Sequence, residues 1–150
     1  MSLTITEVIA GLKQKHPDAK YELNWKTATE LLVGTILAAQ CTDERVNKMT
    51  PALFKKYPDA KAFAKADVSE LEELIKSSGT YKNKAKSILG ACKVLVSDFG
   101  GEVPKTMDEM LTLPGVQRKS ANVVLNTAYN LPTGIIVDTH VARVAPRMGL

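Results

Sequence analysis

At 150 residues, 45% of them hydrophobic, the chain holds one or two domains with a real core. Its 20 Lys and Arg against 16 Asp and Glu leave a net charge of +4, too mild to diagnose a nucleic-acid partner by itself. No signal peptide, transit segment or apolar run of membrane-spanning length occurs, which argues against a membrane protein and sets a soluble cytoplasmic one as the expectation.

The charge is unevenly spread. Residues 1–75 carry 10 basic against 11 acidic side chains, a net −1, and residues 76–150 carry 10 against 5, a net +5. Cys41 and Cys92 are too few and too far apart for a disulfide framework or a metal site, and read as small buried hydrophobes.

In chain order, Thr4 to His16 reads as a surface helix with Val8, Ile9 and Leu12 on one face, ended by Pro17. Thr27 to Ala39 is apolar nearly all round, so it belongs at the centre of the core. Asp43 suits the N-cap of a helix running to Lys56, with Pro51 kinking it. Two short helices follow, Asp59–Ala66 and Asp67–Ser77, each opened by an aspartate, and Gly79 breaks the second. Residues 81–99 form a long amphipathic helix with Ala85, Ile88, Cys92, Leu95, Val96 and Phe99 on one side. Lysines flank that stripe. A solvated face is the commoner reason for such a row, and Lys82 and Lys84, at the helix start, are candidates for a phosphate backbone.

Thr106–Leu111 reads as a short helix, which Pro114 and Gly115 break before a second helix runs from Val116 to about Asn130. Two helices on so tight a loop form a hairpin. The second opens with unpaired backbone N–H groups next to Gly115, Arg118 and Lys119, an arrangement suited to an anionic oxygen, most simply a phosphate. A plain helix-to-helix turn with solvated charges is the other reading of the same residues. Along the second helix Ala121, Val124, Leu125 and Ala128 face inward, and Lys119, Asn122 and Asn126 form a polar stripe. After the connector Ile135-Ile-Val137, Asp138 sits where an N-cap would start a last helix through Arg147. No strand-like alternation is convincing, so the fold class is all-α, a helical bundle with one helix-hairpin-helix.

Leu113-Pro-Gly-Val-Gln-Arg-Lys-Ser-Ala121 followed by Val137-Asp-Thr-His140 resembles the hairpin and catalytic segment of the endonuclease III family of DNA glycosylases. The resemblance extends through Ala39-Gln-Cys-Thr-Asp43 and Gly100-Gly-Glu-Val-Pro104, nearly the whole chain. It implies base-excision repair of damaged double-stranded DNA by a monomeric, nucleoid-associated enzyme acting on oxidised pyrimidines. The hairpin, Gly115, Val116, Gln117 and Arg118, would hold a phosphate, and Gln40 would reach into the duplex beside the damaged nucleotide. Thr80 stands where relatives often carry a wedging leucine, smaller and polar here, and His140 joins the DNA contacts. Gln117 replaces a second glycine; if that position needs positive φ, the side chain costs on the order of 1 kcal/mol.

The same resemblance makes Lys119 the nucleophile at the sugar and Asp138 its assistant. The chemistry is physically reasonable: a helix N-terminus and a neighbouring Arg118 disfavour an ammonium, and a carboxylate can take the amine's proton. The two stand 138 − 119 = 19 residues apart, within reach of one helix and a returning loop. The adenine-excising branch generally lacks this lysine. A non-catalytic DNA-binding module, or a helical protein-interaction domain, remains open from the residues alone.

No cofactor follows from this chain. The family's four-cysteine iron–sulfur segment is expected only if the native protein continues past Leu150. The implied organisation is residues 1–20 as a helix belonging with a C-terminal domain absent from this chain, 21–135 as the helical domain with the hairpin at 106–129, and 136–150 as the start of that C-terminal domain.

Overall fold

The computed structural model describes residues 4–150; residues 1–3 of the expected N-terminal segment lie outside the described residues. Among these the regular structure is helical, with no strand. The chain divides into two compact units, one from Glu22 to Gly134 and one made of the residues up to Tyr21 together with Ile135–Leu150.

In the larger unit, α2 (Ala28–Leu37) is the core. Thr27 caps it by accepting the Glu30 N–H, and Leu31, Leu32 and Leu37 are fully buried. A helix apolar all round needs neighbours on every side. They are α3 (Asp43–Lys56), α6 (Tyr81–Asp98) and α8 (Arg118–Tyr129). The short helices α4 (Ala60–Ala64) and α5 (Val68–Ile75) lie against α6, and a 3₁₀ turn, Lys76–Ser78, leads from α5 towards it. Asp59 and Asp67 cap α4 and α5 as expected, each accepting the N–H three residues on. α3 differs: Thr42, not Asp43, is its N-cap, its hydroxyl accepting from the Arg45 N–H. Asp43 moves into the first turn, where its charge still meets the positive end of the helix. Pro51 sits inside α3 without ending it.

The smaller unit contains α1 (Ile5–Lys15), opened by a capping box between Thr4 and Glu7, and α9 (Thr139–Val144), which passes into a 3₁₀ turn, Ala145–Met148. Val8 is the one buried side chain of α1, while Ile9 and Leu12, expected to share its face, are exposed. Among the described residues no helix is long and apolar enough to cross a membrane.

Candidate nucleic-acid interface and lysine site

The hairpin is built from its apolar anchors outward. Helix α7 (Met107–Met110) is capped by Thr106, and Met110, Leu113 and Val116 are buried beneath the turn. The Leu113 N–H donates to Met110 O at 3.2 Å and the Val116 N–H to Leu113 O at 3.1 Å, so the loop is tightly wound. Pro114 and Gly115 are left exposed at its tip. Gly115 has φ +77°, and a Cβ there would overlap Cβ and Oγ of Ser87 on α6. A Cβ on Gly90 would lie 3.1 Å from Cβ and Cγ of Pro114. The hairpin tip therefore seats on α6 through two glycines, one on each partner. Gly90 and Ser87 escape a reading of the sequence, although a lone glycine inside a helix is itself a signal of close approach.

Helix α8 starts at Arg118 rather than Val116, because Val116 is buried in the turn and its N–H is spent on Leu113. Gln117 is the N-cap and offers no side-chain cap, so the amides of the first turn are not covered by it. Its backbone is extended, φ −105° and ψ 169°, so no positive φ is required and the conditional cost of a non-glycine disappears. Arg118 and Lys119 are exposed in this first turn. Uncapped amides, the helix dipole and two cations together favour an anion.

Asn122 corrects the simple polar stripe. It is only 5% exposed, and its Oδ1 accepts from Thr133 Oγ1 at 2.9 Å. Asn126 Nδ2 donates to Asn122 O at 2.8 Å and to Gly134 O at 3.3 Å. The end of the 131–134 connector is thus latched onto the face of α8 that carries Lys119 three residues before Asn122.

Gln40 and Thr80 are exposed and share an unusual backbone: each is a non-glycine residue at positive φ, +53° and +28°. For β-branched Thr80 this is a genuine strain. Thr80 precedes α6 without a side-chain cap, and its carbonyl accepts from the Asn83 and Lys84 N–H groups. Lys82, exposed on the first turn of α6, is positioned for solvent or phosphate. Lys84 is not. The expected backbone contact is corrected, because Lys84 is 5% exposed and its Nζ donates to Leu37 O at 2.8 Å and Ser78 O at 2.6 Å. Burial pushes its pKa down from the ordinary lysine value.

In the smaller unit, Asp138 is the N-cap of α9, its Oδ1 accepting the Val141 N–H at 2.8 Å. His140 is exposed in the same first turn. Cys92 is buried, with its thiol pushed up to about 12, Cys41 is half-buried, and no group of three His, Cys, Asp or Glu side chains converges among the described residues.

A helical fold with a phosphate-suited hairpin and a first-turn lysine defines a class. Residues 33–150 match the HhH-GPD superfamily of base excision DNA repair proteins, and the chain belongs to that family. It is 57% identical to the endonuclease III of Synechocystis sp. (strain ATCC 27184 / PCC 6803 / Kazusa) over 97% of this chain and 66% of that protein. Its fold also matches a non-covalent endonuclease III–DNA complex, with TM-score 0.92 and 45% identity over 98% of this chain and 70% of the other. A trapped endonuclease III–DNA covalent intermediate follows at TM-score 0.91 and 43% identity, with the same coverage. The all-α fold is therefore that of endonuclease III. The chain spans 66% and 61% of the length of the Synechocystis and Bacillus subtilis relatives.

Proposed function

We propose that this chain carries the DNA-engaging surface and the nucleophile of a DNA glycosylase with abasic-site lyase activity, which removes oxidised pyrimidines during base-excision repair. The observation that carries this reading is Lys119, an exposed amine in the first turn of a helix whose N-cap leaves the amides uncovered. Family membership supports the DNA-repair setting, and the relatives named endonuclease III support the lyase-competent branch.

Main-chain N–H groups of the hairpin hold a backbone phosphate, with charge added by Arg118 and Lys82, while Gln40, Thr80 and His140 meet the duplex around the damaged nucleotide. The Lys119 amine attacks the anomeric carbon, and the departing base takes the electron pair of the glycosidic bond. Asp138 accepts the proton that the amine sheds, or stabilises positive charge developing on the sugar. Ring opening leaves a Schiff base. Loss of a C2′ proton then expels the 3′ phosphate, and hydrolysis returns the amine. A DNA substrate supports the expected placement with the nucleoid in the cytoplasm, and a site whose assigned residues all come from one copy of the chain supports a monomer.

The test is borohydride reduction during reaction of the native protein with duplex carrying one abasic site. A covalent protein–DNA adduct should form, and Lys119→Gln should abolish both adduct and nicking while DNA binding persists. Asp138→Asn should slow base excision by roughly a hundredfold or more, the scale of a positioned proton-transfer group, yet leave some nicking of preformed abasic sites. Full trapping by Lys119→Gln would overturn the assignment, and binding without any trapping would leave a non-catalytic module.

A further inference from the structure

The residue that departs most from its expected place is Lys84. Its ammonium is withdrawn from water, a costly position that only charge-assisted hydrogen bonds offset. Both acceptors are main-chain carbonyls, one at the end of α2 and one in the turn before α6. Leu37 is the last residue of α2, a helix with no basic residue in its own last turn, so Lys84 supplies the cation that this negative end lacks. Ser78, itself buried, ends the 3₁₀ turn before α6. Three residues beyond Leu37 lies Gln40, and two beyond Ser78 lies Thr80, the two strained positions identified above. Strain of this kind persists only where the surroundings over-determine the backbone, and one buried ammonium grips the chain just before both positions.

We propose that Lys84 is a positioning residue whose ammonium clamps the Gln40 turn to the Thr80 turn, fixing the spacing at which the two enter the duplex. The proposal rests on the reading of Gln40 and Thr80 as DNA contacts. A role in packing alone would not need the charge, since methionine fills similar space without its desolvation cost. The clamp acts on carbonyls, so its effect is on backbone placement rather than on the DNA directly.

The experiment uses the full native protein with Lys84→Met, Lys84→Arg, Gln40→Ala and Thr80→Ala. The duplex carries a single oxidised pyrimidine with 2-aminopurine opposite it, whose fluorescence reports unstacking, and nicking of a preformed abasic site is read in parallel. For cooperatively folded Lys84→Met, kcat for excision should fall roughly tenfold or more, the scale of a misplaced contact, and the unstacking signal should shrink. Abasic nicking should change by less than about threefold, because that nucleotide is extruded at little cost. Lys84→Arg, which can still donate to both carbonyls, should recover most of the lost excision.

Unchanged excision and fluorescence in folded Lys84→Met, or equal losses in excision and abasic nicking, would overturn the clamp. Should Lys84→Met not fold, Lys84→Gln, one bond shorter with a neutral donor, carries the same expectation; failure of both to fold assigns Lys84 to the core and overturns the positioning role. The alanine variants separate the two levels. If Gln40→Ala and Thr80→Ala change neither excision nor fluorescence, the DNA-contact reading fails and takes the clamp with it. If they do, and Lys84→Met does not, only the clamp fails.

Discussion

Gly115 is where one hydrogen atom decides the geometry of the site. Any side chain there meets a left-handed backbone and the Ser87 side chain at once. Gly115→Ala should therefore cost on the order of 2–4 kcal/mol, part backbone and part overpacking. A double-mutant cycle with Ser87→Gly, followed by urea denaturation, should return the overpacking part and leave about 1 kcal/mol of backbone strain. Additive losses would mean that the two residues do not touch. The thiols give a second contrast at this scale. Burial holds Cys92 as the neutral thiol until pH approaches about 12, so iodoacetamide at pH 8 should spare it in the native protein and modify the half-buried Cys41. Equal labelling of both by mass spectrometry would contradict the burial. Pro114, Gly115 and the two cations were legible in the sequence because turn chemistry is local. Lys84 was misread because a lysine row does not say which lysine turns inward. The signal was present, since position 84 precedes Ile88 by four and Cys92 by eight, on the buried stripe.

At the scale of elements, helix caps were the most legible feature, because each is a contact between residues three apart. Asp59, Asp67, Thr106 and Asp138 all cap helices through side-chain oxygens. The misplacements, Thr42 for Asp43 and Arg118 for Val116, both come from competition between neighbours for one role. At α3 two oxygen-bearing side chains adjoin, and at the hairpin the tight turn consumes the Val116 N–H. The seating of the hairpin on α6 left a single trace in the sequence, the lone glycine at position 90, because it is a contact between segments that periodicity treats separately. The uncapped start of α8 yields a prediction of its own. If its amides hold phosphate, affinity for duplex should fall steeply between low and moderate salt, and Gln117→Gly should preserve or strengthen binding. Gln117 makes no side-chain cap and glycine is an accepted N-cap residue, so the change should leave the helix intact. Salt-independent binding in a filter or anisotropy titration would rule the hairpin out as a phosphate site.

At the scale of the molecule, stability is unevenly distributed between the units. Helix α2 is sealed inside the larger one, whereas α1 buries only Val8 and leaves Ile5, Ile9 and Leu12 in water. Amide exchange should be slowest in α2 and faster by orders of magnitude in α1, because opening α1 exposes little new apolar surface. Matching protection in the two helices would contradict this.

The smaller unit also sets a timetable. Its two pieces flank the whole of Glu22–Gly134, so α1 leaves the ribosome before the larger unit and its companions leave after it. The larger unit is one uninterrupted stretch and can condense in the meantime. Closing so long a loop in an unfolded chain is entropically slow, but a folded Glu22–Gly134 replaces that loop with a compact body and so lowers the entropy still to be lost. On this view Glu22–Gly134 is the template on which the smaller unit forms, and α1, made before it, finds its place after it.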